Sequence, residues 1–310
     1  MSALVLTGAP AGESGPAAGE SGLVAGLVAI DFSHAGYGGG GGAAPAVPAV
    51  LRVRPTGGDD TAMLQAALDR VAAHPLRDGG FRGALALAPG VYRVGGQLRM
   101  DAGGVVLHGI AADDGALPVI RATGSDRRTL ICLGQKSSAS ASAERKGNGG
   151  GAARVADETV PAGACELTLE SSAFESPGDI GAGARVIVTR PSTKAWIDAL
   201  GMAADDGAFA ALRTHWLPGS RDLVWDRTVV AVDRARNRIT LDAPLTTALE
   251  RRFGGGTVAV RAGAPVTRVG VENLILESEF DPANPRDEEH AWIAVAVDNI
   301  EDAWVRGVTA

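Results

Sequence analysis

Cysteine is nearly absent, with Cys132 and Cys165 the only two in the chain. Two thiols cannot build a disulfide framework, and their spacing fits no metal motif. Both are read as buried, reduced side chains, with a single disulfide between them as the alternative. Aromatic residues are scarce at 4 %, which leaves core formation to small aliphatic groups. Basic residues are outnumbered, 29 Lys and Arg against 36 Asp and Glu, for a net charge of −7. Phosphate binding needs a concentrated basic surface, so nucleic acid is excluded as a partner. No apolar run approaches the ~18 residues of a membrane span. The short run "LVAGLVAI" (23–30) has nothing basic before it and fails as a secretory signal. There is no phosphate-cradling loop, metal quartet or nucleophile elbow, and "GGGTVAV" lacks the strand–helix setting of a nucleotide motif.

Glycine, by contrast, is abundant: 43 of 310 residues, roughly twice the usual share. Frequent turns and small side chains favour an all-β architecture. Residues 1–30 begin with a Gly/Ala/Pro/Ser-rich stretch that repeats "AGESG", and disorder is expected there. In "GGDDTAMLQAALDRVAA" (57–73), Leu64, Ala67, Leu68 and Val71 form one apolar stripe at helical spacing, with Asp60 as the expected N-cap. Short β runs follow: "GALALAPGVYRVGGQLRM", "GGVVLHGI", "LPVIRA" and "RTLICLG". "QKSSASASAERKGNGGGAAR" (135–154) is a low-complexity loop.

Residues 155–262 change style, with period-two strands and a hairpin turning near Ala235–Asn237. A helix is expected near Thr193–Leu200. This region reads as an antiparallel β module inserted into the main domain. The earlier style returns at 263–310, where "VENLILES" and "WVRGVT" share one rhythm. Aligning Val271 with Val305 gives a period of 34 residues, within the range of solenoid repeats.

The helix motif "DDTAMLQAALD", the following "PGVYRV" and the later "VENLILES" and "WVRGVT" resemble the pectate-lyase-like superfamily. The resemblance spans about 31–134 and 264–310. It implies a right-handed parallel β-helix with an N-terminal capping helix, here carrying the inserted module. The domain reading is therefore 1–30, 31–154 (cap and first rungs), 155–262 (module) and 263–310 (further rungs). Because the last residues read as mid-rung and solenoids carry end caps, the expectation is an N-terminal part of a longer coil. A complete protein with few rungs is the alternative.

The resemblance further implies a polysaccharide substrate, an extracellular or periplasmic location, and polysaccharide lyase activity on a uronate-containing glycan. A glycoside hydrolase on the same scaffold, or a non-catalytic glycan-binding protein, are the alternatives. Two stretches can supply the chemistry. "ESEFDPANPRDEEHAW" (277–292) packs six carboxylates into a loop between strands. Glu279, Asp281, Asp287 and Glu288 could hold Ca²⁺, whose hard character suits oxygen ligands. Glu289 and His290 are the expected catalytic pair. Trp292 either offers a sugar-stacking face or joins the core through its alternation with Ala294 and Ala296. The same loop also has the composition of a plain solvated turn. In the module, Lys194, Trp196, His215, Trp216 and Arg221 form a candidate sugar-binding wall, or its tryptophans fill the module's own core.

Overall fold

A computed structural model describes residues 30–134, 152–170, 180–203, 215–261 and 263–310. The disordered leader and the low-complexity loop expected from the sequence lie outside the described residues, apart from Ile30 and 152–154. The described chain is mostly β.

Seven short strands come first: β1 (Ala49–Val53), β2 (Gly83–Leu87), β3 (Val91–Val94), β4 (Leu98–Met100), β5 (Val105–Gly109), β6 (Val119–Ala122) and β7 (Thr129–Leu133). Eight more run through the middle: β8 (Ala153–Arg154), β9 (Thr159–Val160), β10 (Glu166–Thr168), β11 (Arg185–Arg190), β12 (Leu223–Asp233), β13 (Arg238–Leu241), β14 (Leu249–Glu250) and β15 (Thr257–Val260). The last five are β16 (Val266–Thr267), β17 (Gly270–Ser278), β18 (Ile293–Val297), β19 (Ile300–Glu301) and β20 (Trp304–Thr309).

The first and last groups pair only in parallel. β1, β2, β5, β17 and β20 stack in that order. β3 and β6 stack with the second half of β17, while β4, β7 and β18 form another ladder. Val271 pairs with Val305 in register, so the 34-residue spacing is one step of the ladder. Between the ladders lies one core of Leu, Ile and Val, including Leu85, Leu107, Ile120, Leu133 and Val271. At Gly109 the chains approach so closely that a Cβ would stand 1.8 Å from the Asn273 carbonyl oxygen. Asn273 itself takes a left-handed φ of 57°, where β17 passes from one ladder to the next.

The helix α1 (Thr61–Ala72) lays Leu64, Ala67, Leu68 and Val71 onto this core. That is the stripe expected from the sequence. Asp60 stands at the expected N-cap position and its carbonyl accepts from Leu64 N at 2.8 Å, but its side chain makes no capping bond to α1. It is buried, and its carboxylate accepts bonds from Thr56 N (2.9 Å), Thr56 Oγ1 (2.7 Å) and Arg93 N (3.3 Å). Thr61 N instead donates to Asp59 Oδ1 at 2.9 Å. A carboxylate sealed under the turn serves the loop–strand junction, leaving its exposed neighbour to meet the helix start.

The described strands between 153 and 260 pair antiparallel and hold a separate core around Val186, Val188, Trp225, Val229 and Ile239. β12 and β13 form the expected hairpin, with Asn237 at a φ of 52° in its turn. Arg185 bonds Glu301, and Arg261 bonds Asn299, across the seam between the antiparallel sheet and the parallel ladders. Neither cysteine forms a disulfide; Cys132 is buried and Cys165 half-buried. Among the described residues, no helix is long and apolar enough to cross a membrane.

Candidate functional site

The acidic loop between β17 and β18 satisfies itself. Glu277 receives Arg121 Nε at 2.8 Å, and Glu279 pairs with Arg93 at 2.9 Å. Arg127 bridges Glu288 (3.2 Å) and Glu289 (2.7 Å). Asp281 accepts from Ala283 N at 2.9 Å, while Asp287 accepts from the backbone N–H groups of Asp281 (2.7 Å) and Glu289 (2.9 Å). Those two N–H groups hold the Asp287 carboxyl below the usual aspartate range.

The four carboxylates expected to hold Ca²⁺ are thus spent on arginines and turn amides. Among the described residues no three His, Cys, Asp or Glu groups stand where they could hold an ion. This loop does not fit a Ca²⁺ site. The expected pairing of Glu289 with His290 is not assembled either. Glu289 faces Arg127, and His290 Nδ1 lies 3.0 Å from Ala291 O and 3.3 Å from Ser278 Oγ. The two side chains have different partners, so nearness in sequence does not bring them together. Trp292 is exposed, with the Arg127 guanidinium 4.8 Å from its ring centroid and its Nε1–H donating to Glu288 O at 2.8 Å. It does not belong to the core.

The second stretch gathers more closely. Trp196 and Trp216 are half-buried and lie outside the module's apolar core, which takes Trp225 instead. Their ring centroids are 5.8 Å apart at a 36° tilt. Arg221 sits 5.5 Å from the Trp216 centroid, and Arg190 sits 4.4 Å from the Trp196 centroid. Each indole thus has one guanidinium over its ring.

Local folding fixes this grouping. Thr193 caps α2 (Lys194–Ala199) by accepting from Trp196 N at 3.3 Å, and its Oγ1 donates to Phe253 O at 3.0 Å. Buried Ser192 donates through N and Oγ to Asp222 Oδ1, both at 2.8 Å, and its Oγ accepts from Arg221 N at 3.0 Å. Trp216 N donates to Met202 O at 3.0 Å. The two indoles are therefore held in place before any ligand arrives, which lowers the entropic cost of binding.

Lys194 and His215 do not join the stack. Lys194 pairs with Asp198 at 2.7 Å on the outer side of α2, and His215 is exposed. Arg190 is the member that sequence reading missed. It is 2 % exposed, and its Nε and Nη1 have no hydrogen-bond partner. Burial draws its guanidinium below the usual arginine range, an effect Glu250 partly offsets. Nothing local in the sequence marks Arg190, and only the fold returns Trp196 over it.

No family model and no curated protein matches the chain. Among solved structures, similar ones include the tailspike of Pseudomonas phage phi297 (13 % identity, TM-score 0.37, 80 % of this chain and 31 % of that one). The tailspike of Pseudomonas phage LKA1 gives 15 % identity and a TM-score of 0.32, over 70 % of this chain and 29 % of that one. The tailspike of Acinetobacter baumannii bacteriophage AP22, solved with a capsular saccharide, gives 10 % and 0.33, over 71 % of this chain and 29 % of that one. The chain spans less than a third of the length of each.

Proposed function

We propose that this chain binds acidic polysaccharides on the Trp196–Trp216 surface, and that its activity is lyase cleavage of a uronate-containing glycan. The observation carrying the binding reading is the pair of half-buried indoles, held outside any core and bracketed by arginines. Sugar rings present apolar C–H faces that indoles cover, while Arg221 can meet a carboxylate. Arg190 lies over the Trp196 ring, and both indoles keep part of their surface exposed for a ligand. For a chain of net charge −7, the exposed Arg221 beside the indoles is a local positive charge that an anionic polymer can approach.

The parallel pairing of β1, β2, β5, β17 and β20 supports a right-handed parallel β-helix as the scaffold, with 155–262 as the inserted module. An exported or surface location belongs to the same reading. Ca²⁺ is given no role, since the loop carboxylates do not converge. Affinity electrophoresis through gels containing polygalacturonate, alginate or neutral dextran tests the binding. The expected result is retardation by the two acidic polymers alone, weakened in Trp196→Ala and Trp216→Ala. Equal retardation of wild type and both variants sinks the proposal.

A further inference from the structure

A row of polar residues crosses the outer face of the parallel ladders, and its two ends differ. Arg52, Ala86, His108, Glu272 and Arg306 stand side by side on β1, β2, β5, β17 and β20. At one end the charges satisfy each other. Buried Glu272 accepts from three donors, His108 Nδ1 at 2.9 Å, Trp304 Nε1 at 3.0 Å and Arg306 Nη2 at 2.5 Å. At the other end stand two cations without a counter-charge. Arg52 and Arg54 are exposed, and their side chains make no ion pair or hydrogen bond among the described residues.

Alternation sets the two arginines together. Leu51 and Val53 pack onto the apolar core, so Arg52 and Arg54 turn outward on one side. Two residues of extended chain put their Cα atoms roughly 7 Å apart, close enough for both guanidinium forks to meet one anion. The backbone between them is pinned. Val53 O accepts from Ala88 N and from the Tyr92 hydroxyl, both at 3.0 Å, and that hydroxyl lies equally close to Ala88 O. Tyr92 is fully buried; burial, and then the Asp60 charge, push its hydroxyl up to about 12, so it keeps the proton it donates. Ile110 N donates to Leu87 O at 2.9 Å, and a Cβ on Gly90 would stand 2.8 Å from Pro55 Cγ. The exits of β1, β2 and β5 are thereby locked to one another.

These exits enclose a hollow of about 390 Å³, lined by Arg52, Arg54, Pro55, Ala88, Pro89 and Ile110. Among the described residues no carboxylate lines it. The volume falls within the ~300–1,000 Å³ of small-molecule sites, and its walls divide into two cations and an apolar remainder. Two uncompensated positive charges match a dianion better than the single charge of a carboxylate. A phosphate monoester carries about −1.5 to −2 at pH 7 and presents three acceptor oxygens, which suit guanidinium donors. We infer that this hollow binds a phosphorylated small molecule, a phosphate monoester such as a sugar phosphate. Arg52 and Arg54 hold the phosphate, and the organic part lies against Pro55, Pro89 and Ile110. The site is separate from the Trp196–Trp216 surface and does not rest on the glycan reading.

Calorimetric titration of glucose 6-phosphate, inorganic phosphate and galacturonate into the whole chain tests this. Glucose 6-phosphate is expected to bind about 10-fold or more tighter than galacturonate, and tighter than inorganic phosphate. Its affinity is expected to fall below pH ~6, where the phosphate takes up a proton while the arginines keep their charge. Arg52→Ala and Arg54→Ala, both at exposed side chains, are each expected to weaken it about 10-fold or more at an unchanged urea midpoint. Arg70→Ala, at an exposed arginine on α1, and the Trp196→Ala/Trp216→Ala double variant are expected to bind as wild type does. No binding of glucose 6-phosphate at millimolar concentration overturns the site. An equal loss in Arg70→Ala also overturns it, because the attraction is then diffuse. Galacturonate bound as tightly overturns the phosphate assignment, and inorganic phosphate bound as tightly overturns the role of the apolar walls. A loss in the double tryptophan variant overturns the separate location.

Discussion

Trp304 and the Trp196–Trp216 pair are both tryptophan sites with an arginine close by, and they are used in opposite ways. Trp304 is buried on the outer face of the parallel ladders, with Tyr37 and Phe81 edge-on to it at centroid distances of 5.4 and 5.9 Å. Its indole N–H donates to buried Glu272, and its ring lies so close over Gly270 that a Cβ there would come within 2.3 Å of it. Every side of that indole is occupied. Trp196 and Trp216 touch each other and two guanidinium groups, yet remain half-exposed. Where the indole is enclosed the protein gains cohesion; where part of it stays exposed it has a surface for a ligand.

The largest effect expected from this contrast is at Trp304. Trp304→Ala should cost about 3–5 kcal/mol of stability, read as a lower urea midpoint. Glu272→Gln should cost about 1–3 kcal/mol, because an amide cannot accept from all three donors. Its signature is also in pH. A carboxyl held below its unfolded value, ~4.3, stabilises the fold above that pH, and this contribution is lost as pH falls through the depressed folded value. Urea unfolding at descending pH should therefore show a shallower acid-side loss in the Gln variant than in wild type.

Smaller in stability but larger in binding is Trp196→Ala. A shift of about 1 kcal/mol or less in unfolding is expected, with up to ~10-fold weaker binding to an acidic polymer. If its unfolding cost matched that of Trp304→Ala, the indole would be core and the contrast would be broken. Smallest of all is Arg127→Ala in the acidic loop. Exposed ion pairs of this kind contribute about 0.2–1 kcal/mol, so its urea midpoint should barely move.

The parallel ladders were legible because their signal is periodic. The apolar stripe of α1 and the 34-residue offset between Val271 and Val305 are local patterns, and the structure repeats both. The hairpin near Asn237 was equally plain from alternation and turn residues. Chemistry was less legible. Glu289 and His290 are neighbours in sequence, and the fold points them at different partners. His108 and Glu272 are separated by 164 positions and meet at 2.9 Å only because β5 and β17 stack. Arg190 gives no local sign of its indole contact, since its role depends on the turn that brings α2 back over the end of β11.

The central claim is that an acidic glycan is recognised on the Trp196–Trp216 face. Calorimetric titration of polygalacturonate into wild type and into the Trp196→Ala/Trp216→Ala double variant tests it most directly. The expected result is binding by wild type and a drop of ~10-fold or more in affinity for the double variant, with both proteins unfolding at closely similar urea concentrations. Equal affinity in the two proteins, with both folded, would contradict the account.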